Sequence, residues 1–202
     1  MRQIKIYIVF LFCTTCSQLL KGQPLNDTVF QYKTLQSFKL INAGDNKSTT
    51  LKNILPSSSL YLFIFLSPEC PLCKNYTPVL NQLEKQYDHA VKFIGIVPGK
   101  TYTAATIQKF AKKYKTEFAI LIDPAKKLTN YLHASVTPEV ILLDSQYQLL
   151  YQGAIDNRMK SLGVKRWQAT ENYLSDAVSQ YLQHTSVTIK RVKATGCLIN
   201  DF

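Results

Sequence analysis

The chain has 202 residues, 46% of them hydrophobic and 18% charged, with a formal net charge of +11. This composition excludes a disordered chain and is sufficient for one domain with a proper core. The basic residues are scattered (Lys109, Lys112, Lys113 and Lys115; Lys126 and Lys127; Lys165 and Arg166; Lys190, Arg191 and Lys193), which reads as solvated faces or as attraction to acidic partners or an anionic surface. No nucleic-acid-binding motif accompanies them, so nucleic acid is not an expected partner.

Residues 1–22 differ from the rest. Arg2 and Lys5 precede the apolar run IYIVFLF, and CTTCSQLLKG provides a polar exit. A basic start, a short apolar stretch and a polar end describe an export signal. The run is short of the roughly 20 apolar residues of a transmembrane helix. Cleavage near Gly22 would leave Gln23 first; the alternatives are a lipid on Cys13 or Cys16, or a buried first strand. Export places the protein in the periplasm or cell envelope and leaves Cys70, Cys73 and Cys197 in the mature chain. Disulfides persist there, but a domain of this size does not depend on them for its stability.

Residues 23–37 are polar without a clear period and read as a loose lead-in. FKLINAGDNKSTTLKNILP (38–56) alternates weakly around Gly44-Asp45-Asn46, as short strands joined by a turn do. LYLFIFL (60–66) is continuously apolar, the pattern of a central strand covered on both faces. After Cys70 the apolar residues Leu72, Tyr76, Val79, Leu80, Leu83 and Tyr87 fall at helical steps. A second buried strand follows at 91–100, then an amphipathic helix through Ile107, Phe110, Ala111 and Tyr114. A third strand at 118–124, a short helix, and an antiparallel hairpin across 139–153 come next. Residues 157–168 are irregular, and Tyr173, Leu174, Ala177, Val178, Tyr181 and Leu182 form a helical stripe. The alternation predicts an α/β domain over 38–184, its sheet centre parallel, with helices on both faces and the hairpin adding antiparallel edge strands. Residues 185–202 form a tail containing Cys197.

The chemistry concentrates in SPECPLCKNYTP (67–78), directly after the first buried strand. Cys70 stands at a strand-to-helix junction, where free N–H groups and the positive end of the helix dipole favour thiolate over thiol. Pro71 suits the first helical position, which has no N–H bond to lose. Cys73 falls one turn on, where its sulfur can meet that of Cys70. One thiol can attack a substrate disulfide and the other can resolve the mixed disulfide. Cys70, flanked by Pro71 and Glu69, is expected near the surface. Three other readings stay open at this point. The pair could be two inert core cysteines. It could be half of a zinc site, although the mature chain has no second close pair. It could be a Cu(I) site completed by a histidine such as His133.

The arrangement resembles the thioredoxin fold, and in particular the exported redoxin-domain proteins related to peroxiredoxins and thiol-disulfide reductases. The likeness runs from about residue 38 to 200 and rests on FKLINAGDNKSTTLKNIL, FLSPECPLCKNYTPVLNQL, VTPEVILLD, YQGAIDNR and ATGCLI. The resemblance implies a three-layer fold with a central mixed sheet, a helix interrupted by Pro78, and a cis peptide bond before Pro138. It implies that Pro138 and Thr137 shape the groove beside Cys70 and present backbone to a substrate peptide. Two departures stand out. Glu69 occupies a position where thioredoxin has Trp, and its charge should oppose thiolate formation. LYLFIFL lacks the buried acid that thioredoxin carries there, which leaves the deprotonation of Cys73 open. The peroxiredoxin pattern is half present: Ser67 stands three residues before Cys70, but Phe63 replaces the expected proline.

These residues predict an extracytoplasmic thiol-disulfide oxidoreductase with Cys70 as nucleophile, Cys73 as resolving thiol, and Pro138 and Thr137 completing the site. Disulfide-bearing or dithiol proteins would be substrates, a separate redox partner would reset the pair, and neither a metal nor an organic cofactor is expected. A copper carrier of the same fold and a peroxiredoxin-like thiol peroxidase are the alternatives. Cys197 is open between an inert thiol, a third redox thiol folded back toward Cys70, and a link to another chain.

Overall fold

All six residues of the strand Leu60–Phe65 are buried, and their side chains alternate between two separate apolar clusters. Leu60, Leu62 and Ile64 join one cluster and Tyr61, Phe63 and Phe65 the other, so this strand is the middle of a three-layer domain. The computed structural model describes residues 28–199 apart from 56–57 and 162. The export segment expected at 1–22, with Cys13 and Cys16, lies outside the described residues.

In chain order the elements are α1 (Tyr32–Ser37), β1 (Lys39–Asn42), β2 (Ser48–Thr50), α2 (Leu51–Ile54), β3 (Leu60–Phe65), α3 (Pro71–Tyr87), β4 (Val91–Pro98), α4 (Ala104–Tyr114) and β5 (Ala119–Asp123). They continue with α5 (Lys127–Tyr131), β6 (Val136–Thr137), β7 (Glu139–Asp144), β8 (Leu149–Gly153), β9 (Met159–Ser161), β10 (Val164–Lys165), α6 (Tyr173–Leu182), β11 (Arg191–Val192) and β12 (Cys197–Leu198). The main sheet has the order β11-β8-β7-β3-β4-β5-β1-β2. β3, β4 and β5 are parallel at its centre, as expected from the crossovers that α3 and α4 provide. One face is covered by Leu72, Cys73, Tyr76 and Leu80 of α3, Ile107 and Phe110 of α4, and Leu174, Ala177 and Val178 of α6. The other is covered by Leu35, Leu51, Leu128 and Leu132. Lys109, Lys112 and Lys113 fall on the exposed face of α4.

Three sequence expectations change. The hairpin β7–β8 does not form the sheet edge: β7 pairs along its whole length with β3, and β8 is covered on its far side by β11. Its all-buried sequence EVILLD is that of an interior strand. The lead-in is not loose over its described part. Phe30 and Leu35 are buried, Phe30 N–H donates to the Tyr147 carbonyl at 2.9 Å, and Leu149 N–H donates to the Thr28 carbonyl at 2.8 Å. Those anchors are long-range, which is why no local period announces them. Residues 157–168 contain the small hairpin β9–β10.

The tail after α6 returns to the sheet. β11 adds in parallel to β8, with Gln152 N–H donating to the Lys190 carbonyl at 2.9 Å and Ala154 N–H to the Val192 carbonyl at 3.1 Å. Gly153 permits this approach. Its φ is +137°, and a Cβ there would lie 1.7 Å from the Val192 carbonyl oxygen. Gly153→Ala should therefore destabilise the protein by about 2 kcal/mol or more, read as a lower midpoint in urea unfolding.

Candidate functional site

β3 ends at Phe65, the turn Ser67-Pro68-Glu69 follows, and α3 starts at Pro71. Cys70 is the N-cap residue of α3, with φ −64° and ψ 119°. Its N–H donates to the Ser67 carbonyl at 3.1 Å, and its own carbonyl accepts from Lys74 N–H at 3.2 Å. These bonds fix the cysteine at the mouth of the helix. Pro71 occupies the first helical position, as its missing N–H allows. Pro78 lies within α3, where it offers no N–H to the carbonyl one turn back. Cys73 is fully buried; its sulfur accepts from Ser67 N–H at 3.3 Å, and its carbonyl accepts from Thr77 Oγ1 at 2.7 Å.

The peptide bond between Thr137 and Pro138 is cis, and both residues are buried. The Cys70 sulfur lies 3.1 Å from the Thr137 carbonyl, so the nucleophile candidate faces this peptide unit directly. A buried carboxylate holds the loop from the far side. Glu139 accepts Ser135 N–H at 2.8 Å and Val136 N–H at 3.3 Å through Oε2, and Gln152 Nε2 at 3.1 Å through Oε1. Gln152 Oε1 in turn accepts from Arg191 Nη1 of β11 at 2.7 Å. A polar chain thus ties the tail to the residues around Pro138.

Cys70 is only 3% exposed, against the expectation that it sits near the surface. The cover is Cys197. β12 pairs antiparallel with β6, Cys197 opposite Thr137, and the two sulfurs stand 2.6 Å apart. Thr137 Oγ1 also donates to the Cys197 carbonyl at 3.5 Å. Cys197 therefore lies against Cys70 rather than in a detached apolar patch. A cavity of about 430 Å³ opens beside this contact, lined by Ser67, Glu69, Cys70, Tyr102, Cys197 and Leu198 among others. Ser67 Oγ donates to the Tyr102 hydroxyl at 3.0 Å on its wall.

Three thiols set one another's acidity. The Cys73 thiol, donating to the Cys70 sulfur, is the largest influence on Cys70. Burial opposes it, the Cys197 thiol adds a second hydrogen bond, and the net result is a pKa lowered to about 4. The Thr137 carbonyl can accept only from the thiol form of Cys70 and so works against the anion. Cys73 is pushed well above the ordinary thiol range by burial first, then by its hydrogen bond to Cys70 and by the charge there. Burial, and after it the bond to Cys70, raises Cys197 to about 11. Glu69, expected to oppose the thiolate, is exposed and is not among the groups that set the acidity of Cys70.

The sequence singled out Cys70, Cys73, Thr137, Pro138 and Cys197, and the fold brings all five together. His133 is exposed, and among the described residues no three His, Cys, Asp or Glu side chains are grouped to hold a metal ion. Sequence reasoning missed Gly153, Gln152 and Gly196, whose roles depend on contacts distant in the chain, and Glu139, whose carboxylate turns back onto Ser135 and Val136. A Cβ on Gly196 would lie 2.4 Å from the Thr137 carbonyl oxygen, so this glycine is what lets the tail lie against β6. The Gly-Cys dipeptide near the end of a polar tail was the one available signal.

A family model described as Redoxin matches residues 31–166. Solved structures share the architecture. An uncharacterized conserved protein from Geobacillus kaustophilus is 22% identical, with a TM-score of 0.71, over 81% of this chain and 87% of that one. A hypothetical protein from Sinorhizobium meliloti 1021 is 24% identical, with a TM-score of 0.70, over 80% and 89%. A secreted Mycobacterium tuberculosis disulfide oxidoreductase homologous to E. coli DsbE is 19% identical, with a TM-score of 0.50, over 59% and 84%. No curated protein matches. The fold is thioredoxin-like.

The geometry predicts a specific pH profile. Alkylation of Cys70 by iodoacetamide, followed by peptide mass spectrometry, should be level across neutral pH and fall as pH drops through about 4. Cys73→Ala removes the largest stabilising hydrogen bond and should move that midpoint up by more than about one unit, toward the ordinary thiol value of about 8.5.

Proposed function

The chain belongs to the Redoxin family, and from that premise we propose that it is an extracytoplasmic thiol-disulfide oxidoreductase acting through Cys70 and Cys73. The observation that carries this reading is the acidic sulfur of Cys70 at the mouth of α3. It is hydrogen-bonded by the Cys73 thiol and lies against the cis peptide unit at Thr137 and Pro138.

The roles follow from the electrostatics. Cys70, as thiolate, attacks one sulfur of a partner disulfide; the other partner sulfur leaves as thiolate and takes a proton. The negative charge on Cys70 is consumed in that step. Two of the influences that hold the proton on Cys73, its bond to the Cys70 anion and the charge itself, vanish with it. Ser67 N–H and Thr137 remain to stabilise a Cys73 thiolate, which attacks the Cys70 sulfur and releases the second partner thiol. The departure of one anion therefore prepares the next, which supplies a route for deprotonating Cys73 without a carboxylate on β3. The chain ends with a Cys70–Cys73 disulfide, and the partner has gained two electrons and two protons. A second redox protein must return the pair to its dithiol state.

The basic leader and short apolar run at 1–22 support export, with cleavage near Gly22 or a lipid on Cys13 or Cys16. The domain is proposed to span the residues from the lead-in through α6, with the tail folded onto it. One structural neighbour is a secreted disulfide oxidoreductase, in keeping with that setting.

Reduction of a protein disulfide tests the reading. Cys70→Ser should abolish exchange, and Cys73→Ser combined with Cys197→Ser, which leaves no second thiol beside Cys70, should accumulate mixed disulfides that dithiothreitol releases. A wild type that never exchanges disulfides but consumes peroxide at Cys70, or binds Cu(I) through these thiols, would replace this proposal with the peroxidase or the carrier.

A further inference from the structure

We infer that Cys197 is a third redox-active thiol, which forms a disulfide with Cys70 and makes the C-terminal tail an intramolecular substrate of the site. Four independent features converge on this. The sulfurs of Cys70 and Cys197 stand 2.6 Å apart, whereas a disulfide bond is about 2.05 Å long. β12 pairs with β6 in antiparallel register, Cys197 opposite Thr137. An extended peptide added to a short strand beside a nucleophile is a general mode of recognition, and here the chain supplies that peptide itself. Gly196 has no room for a side chain against the Thr137 carbonyl, and Gly153 has none against Val192, so two close approaches hold the tail on this path. Exposure then divides the thiols: Cys70 and Cys73 are buried, whereas Cys197 is half-buried and its neighbour Leu198 is 74% exposed.

The chemistry balances with a disulfide-bearing oxidant, R–S–S–R′. The Cys70 thiolate attacks one sulfur and R′S⁻ leaves, taking a proton from water; Cys197 then attacks the Cys70 sulfur, its proton going to the departing RS⁻, so that a Cys70–Cys197 bond forms and RSH and R′SH carry off the two electrons. The second step rests on the function proposed above. The Cys73 thiolate attacks the Cys70 sulfur, Cys197 leaves and takes the proton that Cys73 lost, and the bond has moved to Cys70–Cys73 without further electron transfer. In the reverse direction the more accessible Cys197 receives the bond from the buried pair. The tether keeps the attacking and leaving sulfurs together at high effective concentration.

Disulfide mapping tests this on the full-length chain. Cys73→Ser protein is fully reduced and treated with oxidised glutathione. Free thiols are then blocked with N-ethylmaleimide, and peptides are mapped without reduction. The expected result is a Cys70–Cys197 linked peptide, with loss of N-ethylmaleimide labelling at both residues. Free Cys197 beside a persisting glutathione adduct on Cys70, or bonds formed only between chains, would overturn the inference. Gly196→Ala in the same background should slow formation of the internal bond about tenfold, because the tail loses its register on Thr137; an unchanged rate would overturn the assignment of the tail as a positioned substrate. Cys197→Ser separates the two proposals. It should still form Cys70–Cys73, and failure to do so would defeat the exchange mechanism while leaving the Cys70–Cys197 bond standing.

Discussion

The Thr137 carbonyl is where three distant parts of the chain meet. The Cys70 sulfur lies 3.1 Å from it, the peptide bond it belongs to is the cis link to Pro138, and Gly196 of the tail passes so close that a methyl group would collide with it. Each of these arrives by a different route: Cys70 by the end of a fully buried strand, Thr137 by a loop clamped from behind by Glu139, Gly196 by an added edge strand. The positions of the sulfur atoms follow from this one crossing. Moving any of the three segments separates the groups that adjust one another's protonation.

The acidity of Cys70 comes first from a neighbouring thiol, with a second thiol and the backbone at Cys73 and Cys197 adding to it. A single buried thiol would be a weak acid, because burial disfavours its anion. Here the penalty falls on one member of the cluster and relieves another: Cys73 and Cys197 keep their protons and lend them as hydrogen bonds, and Cys70 becomes acidic at their expense. The proposed exchange accordingly needs no carboxylate of the kind absent from LYLFIFL. The buried carboxylate closest in the chain to Pro138, Glu139, packs with the opposite sheet face and serves the loop's shape, accepting backbone N–H groups rather than facing the thiols.

Much of this was legible because its causes are local. LYLFIFL reads as a buried central strand because all of its residues are apolar, and Cys70-Pro71 reads as a helix start because proline suits the first helical position. The cis bond at Pro138 and its nearness to Cys70 came from a family likeness, and the structure bears them out. What escaped the sequence depends on contacts far along the chain. Phe30 and Leu35 find their partners on other elements, so a polar-looking lead-in hides a packed one. Cys70 looked exposed between Pro71 and Glu69 because its cover comes from residue 197. Gly153 and Gly196 are unremarkable letters until another strand is laid against them.

β11 has a further effect, on the company the protein keeps. β8 without it would end the sheet with a row of open backbone donors and acceptors beside a strongly apolar interior, the kind of border along which chains zip together. Two residues of the returning tail close that border, and the opposite border is the three-residue polar strand Ser48–Thr50, too short and too hydrophilic to recruit a neighbour. The segment that brings Cys197 beside Cys70 therefore also covers this border, and a chain shortened after α6 would lay it open as it lost Cys197.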